Sequence, residues 1–100
     1  MSQNWTREDI PDLTDKVVIV TGANSGLGYE TGQTLAAKGA TVVMAVRNLE
    51  KGAQAESECQ LAVPDAALDV MQLDLGDLAS VRRFAEAFKA KYERLDILCN

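Results

Sequence analysis

Four short apolar segments recur along the chain, and the intervals between them carry the spacing of amphipathic helices. The apolar segments cover residues 17–21, 41–46, 69–74 and 95–99. The first two are apolar almost without interruption, which is typical of parallel strands that are buried on both faces. The third is more mixed, because Gln72 interrupts one of its faces, and this pattern predicts a strand at the edge of the sheet.

The first two intervals carry recognisable helix boundaries. One predicted helix covers residues 27–38 and stops at Gly39, the residue type expected just past a helix C-terminus. The next covers about residues 48–62. It starts at Asn48, a favourable N-cap residue, and Pro64 ends it.

The third interval predicts a helix with one apolar face. It begins at the N-cap residue Asp77, and its apolar residues then recur at steps of three and four positions. The members of this stripe are Leu78, Val81, Phe84, Phe88 and Tyr92.

The alternation βαβαβαβ, with short connections, predicts an α/β fold built on a parallel sheet with right-handed crossovers. In the doubly wound arrangement the strand order would be 3-2-1-4, with the ligand at the carboxyl ends of the strands, near the crevice between strands one and four. We assign residues 16–100 to one domain and residues 1–15 to an N-terminal extension. The domain would comprise only the N-terminal half of such a fold, truncated after strand four.

Composition excludes several function classes. The formal net charge of −5 argues against a nucleic-acid partner, which calls for clustered Lys and Arg. No segment approaches the about 20 apolar residues of a membrane span, and the polar N-terminus lacks a signal peptide, so we expect a cytoplasmic protein. The chain has no histidine and no Cys-x-x-Cys, which makes a metal site improbable. We expect Cys59 and Cys99 to be reduced, buried thiols.

The most informative motif is Thr-Gly-Ala-Asn-Ser-Gly-Leu-Gly at residues 21–28, directly after the first strand. Gly22 would let the chain turn sharply off the strand. Gly26 removes a side chain where phosphate oxygens must approach, and Gly28 lets the first helical turn lie tight against the sheet. The N–H groups at the start of that helix then face an anion. The motif therefore predicts a dinucleotide site.

The end of strand two predicts which dinucleotide binds. NAD sites of this shape place an acid there, to accept hydrogen bonds from the ribose 2′-hydroxyl. Here Val46 occupies the position and Arg47 follows it, with no acid beside them to repel a 2′-phosphate. We therefore expect NADP(H) in preference to NAD(H), with Ser25 or Asn48 as further donors. The alternative is that Arg47 is a solvated loop residue.

With these motifs in place, residues 16–100 resemble the short-chain dehydrogenase/reductase family, whose fold is Rossmann-like. Residues 21–28 match its motif Thr-Gly-x-x-x-Gly-x-Gly in full, and Asp74 matches its aspartate after strand three. Asn100 matches the start of its Asn-Asn-Ala-Gly segment. The sequence resembles the retinol dehydrogenase and protochlorophyllide reductase-like branch at residues 24–28, at residues 47–48 and in the residues before strand one.

The resemblance implies the roles of the site residues. The backbone at residues 25–27 would cradle the pyrophosphate, Asp74 and the Leu75 backbone would hold the adenine, and Asn100 would lie near the adenosine ribose. Asp74 could equally be a surface acid that closes a strand. The complete set of predicted cofactor-binding residues is Gly22, Asn24, Ser25, Gly26, Leu27, Gly28, Arg47, Asn48, Asp74, Leu75 and Asn100.

The resemblance also implies hydride transfer at a carbonyl or alcohol carbon, with a serine and a Tyr-x-x-x-Lys pair as catalytic residues. Neither Tyr29 nor Tyr92 has a lysine four residues later. We therefore expect no catalytic residue in this chain and no activity from it alone. Tyr92 belongs to the apolar stripe, where core packing is its expected role.

Two function classes stay open at this point. The chain is either the cofactor-binding part of an NADP(H)-dependent oxidoreductase that acts on a small carbonyl or alcohol substrate, or a dinucleotide-binding module without catalysis. The N-terminal half of an epimerase-like relative is a further alternative. Homo-oligomers are possible, and the sequence does not identify the substrate.

Overall fold

The computed structural model describes residues 12–24 and 26–99. Residues 1–11 of the expected N-terminal extension lie outside these ranges, and so do Ser25 and Asn100, whose expected roles stay predictions. The strands are β1 (Val17–Thr21), β2 (Thr41–Val46), β3 (Ala67–Gln72) and β4 (Ile97–Cys99). The helices are α1 (Gly26–Ala37), α2 (Leu49–Ala62) and α3 (Leu78–Lys91).

The sheet has the predicted topology. All of its strand pairs are parallel, and the strand order is β3-β2-β1-β4. The doubly wound α/β prediction is therefore confirmed. The chain winds outward from β1 to β3 and then crosses back to β4 on the other side of β1, so the order switches beside the carboxyl end of β1, where the glycine motif begins.

Helices cover both faces of the sheet and divide the core in two. On the face of α1 and α2, buried residues of β1 and β2 form the larger cluster, with Val18, Val42 and Met44 at its centre. On the opposite face, the ring of Phe84 from α3 packs on a cluster that includes Val43 of β2. The central strand β2 is buried along nearly its whole length, which explains its uninterrupted apolar sequence.

Local capping signals set the helix boundaries. Asn48 Oδ1 accepts the N–H groups of Glu50 and Lys51, and Asp77 Oδ1 accepts the N–H of Ala79. Both predicted N-caps are therefore confirmed.

The C-terminus of α1 is closed by hydrogen bonds from Gly39 and Ala40, which lie just beyond it. Gly39 donates its N–H to the carbonyl of Ala36, and Ala40 donates to that of Leu35. These two bonds form a Schellman motif. The helix itself spans Gly26–Ala37, one residue earlier at each end than predicted.

Two strand predictions were wrong in their boundaries. The predicted strand 69–74 lies two residues earlier, at Ala67–Gln72, because β3 follows the register of β2, in which Val46 pairs with Gln72. The predicted strand 95–99 is shorter, because Leu95 is exposed and lies outside the sheet. Tertiary pairing, and not the local apolar pattern, decides both boundaries.

A carboxylate fastens the start of β4 to the start of β1. Asp96 Oδ2 accepts the N–H of Val17 at 2.8 Å, and the Asp96 N–H donates to the Val17 carbonyl at 2.9 Å. The backbone hydrogen bond from Val17 is the main cause that lowers the pKa of Asp96, and Arg94 acts in the same direction. The ionised Asp96 carboxylate therefore stabilises the fold above the pKa that it has in the unfolded chain. This stabilisation is lost as the pH falls through the lower pKa of the folded state.

The two cysteines differ in burial. Cys59 is a buried residue of α2, whereas Cys99 at the end of β4 is half-buried, so the prediction of buried thiols is confirmed for Cys59 alone. Burial raises the pKa of both thiols. Across residues 12–24 and 26–99, no helix combines the length and apolar character that crossing a membrane requires.

Candidate functional site

A wide cleft of about 1340 Å³ opens at the carboxyl ends of β1, β2 and β3. Such a position is where an open parallel sheet binds its ligand. The prediction placed the ligand near the crevice between β1 and β4. Among the described residues, the lining of this cleft comes instead from the β1–β3 side of the sheet and includes no residue of β4. Its lining comprises Thr21, Gly22, Asn24, Ala45, Arg47, Asn48, Leu49, Lys51, Gln72, Leu73, Asp74, Leu75, Gly76, Asp77, Ser80 and Arg83.

The glycine loop leaves β1 in a conformation that favours glycine. Gly22 has φ +64° and Gly26 has φ +51°, both in the left-handed region. The Gly22 N–H donates to the Ala45 carbonyl at 3.0 Å, so the turn stays fastened to β2 as it leaves the sheet. Apart from the neighbouring backbone of the chain itself, no heavy atom lies within 4 Å of a Cβ placed on either glycine, which leaves open space where an oxyanion could approach.

Gly28 meets a different constraint, because its α-carbon lies against the strand-to-helix turn. A Cβ on Gly28 would collide with the Gly22 carbonyl oxygen and lie 2.9 Å from the Gly22 carbonyl carbon. The first turn of α1 can therefore pack against this turn only without a side chain at position 28. This confirms the tight packing predicted for Gly28 and identifies its contact as backbone.

The start of α1 presents backbone donors. The first N–H groups of a helix have no acceptor within that helix, and here they follow directly on the glycine loop. The Leu27 side chain is 79% exposed and faces a separate shallow hollow on α1, so only its backbone can serve the predicted site. Gly22 and Asn24 line the main cleft, whereas Gly26, Leu27 and Gly28 lie beyond its rim.

The end of β2 offers a cation to the cleft. Val46 is buried, and Arg47 directly after it has an 81% exposed side chain. Asn48 Oδ1 already accepts the hydrogen bonds that cap α2, which leaves the side-chain amide nitrogen of Asn48 as the donor for a ligand.

The end of β3 lies beside Arg47, and here one expectation was wrong. Asp74 Oδ1 is 4.0 Å from Arg47 Nε, so an acid does stand next to this cation. The two residues are distant in sequence, but the pairing of β2 with β3 brings their strand ends together. Both side chains are substantially exposed, so the pair is weak and the guanidinium can turn to another anion.

Six further polar residues line the cleft without having been predicted as site residues: Thr21, Lys51, Gln72, Asp77, Ser80 and Arg83. The signal for two of them was available in the caps. Lys51 follows the N-cap Asn48 by three residues, and Ser80 follows the N-cap Asp77 by three. Both helices start at the carboxyl end of the sheet, so their first turns face the same cleft. Arg83, one turn further along α3, completes a mixed lining of cations and acids.

The tyrosines occupy structural positions. The Tyr92 hydroxyl donates to Asp69 Oδ2 at 2.7 Å, and its ring packs against Phe88 with centroids 4.9 Å apart. Burial, together with Asp69, raises the pKa of Tyr92 to about 12. A general base near neutral pH needs a lowered pKa, so Tyr92 is unsuited to that task. Burial also raises the pKa of Tyr29, which packs on the larger core cluster.

Comparison with known sequences identifies the family to which this fold belongs. A family model described as short chain dehydrogenase matches residues 16–100. A short-chain dehydrogenase/reductase of Armillaria gallica is 49% identical over 96 residues, which cover 96% of this chain and 31% of that protein. Retinol dehydrogenase 12 of Homo sapiens is 46% identical over 88 residues, which cover 88% of this chain and 28% of that protein. The chain thus spans less than a third of the length of these relatives.

Solved structures show the same arrangement of elements. One is an Escherichia coli CFT073 protein assigned to the short chain dehydrogenases and crystallised in complex with NADPH. It superposes with a TM-score of 0.78 at 34% identity, over 89% of this chain and 38% of that one.

Proposed function

The chain belongs to the short-chain dehydrogenase family, and from that premise we propose that it binds NADP(H) as the cofactor-binding part of an oxidoreductase. The substrate would be a small carbonyl or alcohol compound. The other functional predictions, a cytoplasmic location and a possible homo-oligomer, stay predictions.

The observation that carries this proposal is the backbone of the glycine loop. Gly22 and Gly26 hold left-handed conformations, and Gly28 packs without a side chain on the turn that Gly22 makes. Together they point the start of α1 toward the switch point of the sheet, where the N–H groups of a helix N-terminus can receive a pyrophosphate.

The choice of NADP(H) over NAD(H) rests on the exposed cation at the end of β2. Arg47 can form charge-assisted hydrogen bonds with a 2′-phosphate, and Lys51 on the first turn of α2 adds a second positive charge to the same cleft. Asp74 competes for Arg47, but a 2′-phosphate carries more negative charge than one carboxylate and offers three acceptor oxygens. The NADPH bound by the Escherichia coli relative supports this choice.

When bound, the nicotinamide would give a hydride to a substrate carbonyl carbon or take one from an alcohol carbon. In the reducing direction the carbonyl oxygen gains a proton, and the family resemblance assigns that proton to a tyrosine in a Tyr-x-x-x-Lys pair. This chain's part is to bind and orient the dinucleotide. Tyr92 keeps its proton up to high pH and packs against the smaller core cluster, so we give it no role in the transfer.

Isotope transfer tests the proposal. The protein, purified as its host makes it, is incubated with NADPH deuterated at nicotinamide C4 and a panel of aldehydes and ketones. We expect deuterium on the carbinol carbon of at least one product, detected by mass spectrometry. If NADPH binds tightly but no deuterium reaches any carbonyl of the panel, hydride transfer is wrong and the non-catalytic binding module takes its place.

A further inference from the structure

Ser80 is a buried polar side chain at the edge of the cleft. It lies in the first turn of α3, is 5% exposed, and its Oγ accepts the N–H of Asp74 at 2.9 Å. Among the residues that the structure describes, it is the one buried residue with a polar side chain. A buried hydroxyl is costly to place unless its hydrogen bonding is satisfied, so this bond marks a specific contact.

The bond is not needed to start the helix. Asp77 is the N-cap of α3, and its side chain already accepts the N–H of Ala79. Ser80 points instead to the backbone that leaves β3. It therefore connects α3 to the segment that the predicted adenine site uses.

Asp74 is held at its other polar groups as well. Its carbonyl accepts the N–H of Asp77 at 3.1 Å, and its Oδ1 accepts the N–H of Gly76 at 2.9 Å. With Ser80, these contacts fix the backbone of Asp74 on both sides of its α-carbon and orient its carboxylate. The other carboxylate oxygen, Oδ2, is then available to accept a hydrogen bond from a ligand in the cleft.

We propose that Ser80 is a positioning residue for adenine recognition: by holding the Asp74 N–H it aims the Asp74 carboxylate at the exocyclic amino group of the adenine. This inference rests on the proposed NADP(H) function. Loss of the Ser80 oxygen would leave the Asp74 N–H without its acceptor. The turn at residues 74–76 would then relax, and the Asp74 carboxylate would no longer be oriented toward the adenine.

The test compares NADPH with deamino-NADPH, in which hypoxanthine replaces adenine and the amino group is absent. We expect the wild-type protein to bind NADPH about tenfold more tightly, the value of one hydrogen bond to a charged group. Ser80→Ala should remove most of this preference by weakening NADPH about tenfold while leaving deamino-NADPH nearly unchanged. Ser80→Thr keeps the hydroxyl oxygen and should restore the preference.

A matched control and the contrary outcomes distinguish the positioning role of Ser80 from the binding of NADP(H) itself. Ser57→Ala, on the exposed face of α2, should change neither affinity. Equal weakening of both cofactors by Ser80→Ala, or no weakening of either, would overturn the positioning role while leaving NADP(H) binding intact. A wild-type protein that binds the two cofactors equally would overturn the Asp74 contact and the role of Ser80 with it. A wild-type protein that binds neither would overturn the proposed function itself.

Discussion

Replacement of Gly28 by alanine should weaken NADPH binding by about 100-fold or more, which corresponds to about 2.7 kcal/mol. The added methyl group would collide with the carbonyl of Gly22, so either the turn at Gly22 or the first turn of α1 must move. Backbone on both sides of this contact leaves no flexible side chain to absorb the collision. The helix N-terminus would then no longer face the pyrophosphate. Isothermal titration with NADPH measures the loss.

Gly32→Ala is the matched control, because it makes the same chemical change in the same helix. Gly32 lies in the interior of α1, and a Cβ there would meet Val42 Cγ1 at 3.7 Å, an ordinary contact. Alanine should therefore fit and stabilise the protein by about 0.5–1 kcal/mol, with NADPH binding unchanged. If Gly28→Ala bound NADPH as well as Gly32→Ala does, the proposed role of the loop backbone would be wrong.

Arg47→Asp should reverse the cofactor preference. It removes a charge-assisted contact to the 2′-phosphate, adds a carboxylate able to accept from a 2′-hydroxyl, and places a second acid beside Asp74. We expect NADPH to bind about 100-fold more weakly, or about 2.7 kcal/mol, while NADH changes little. Titration of both cofactors at two ionic strengths measures this. The wild-type preference for NADPH should shrink at high salt, because exposed charges are screened.

Arg82→Asp is the matched control for this charge reversal. Arg82 is an exposed residue of α3 that does not line the cleft, in contrast to its neighbour Arg83. Arg82→Asp changes the net charge by the same amount as Arg47→Asp. Its effect on the NADPH affinity therefore measures the long-range electrostatic effect alone. Equal losses of NADPH and NADH in Arg47→Asp would contradict the assignment of Arg47 to the 2′-phosphate.

Local sequence signals were sufficient for the order of the elements and for the helix starts. The N-caps Asn48 and Asp77 are set by side chains that bond to backbone within three residues, and this information lies in the sequence itself. The strand order followed from the alternation of strands and helices and from the handedness of their crossovers.

Features that depend on pairing between distant segments could not be predicted in this way. The bounds of β3 are set by the register of β2, and the acid beside Arg47 arrives through the same pairing. The room around Gly32 depends on how closely α1 lies over Val42, which periodicity does not encode. The sequence carries no specific signal for Ser80, because a serine in the first turn of a helix is common. Its bond to Asp74 becomes visible only once β3 and α3 are placed together.

We propose above all that this chain holds NADP(H) in the cleft at the carboxyl ends of β1–β3. The most direct test is a titration of the ¹⁵N-labelled chain with NADPH, followed by the shifts of assigned backbone amides. We predict saturable shifts that cluster at residues 22–28, 47–51 and 74–76, with the exposed face of α1 unaffected. Shifts that fall outside these segments, or none at millimolar NADPH, would contradict NADP(H) binding in this cleft.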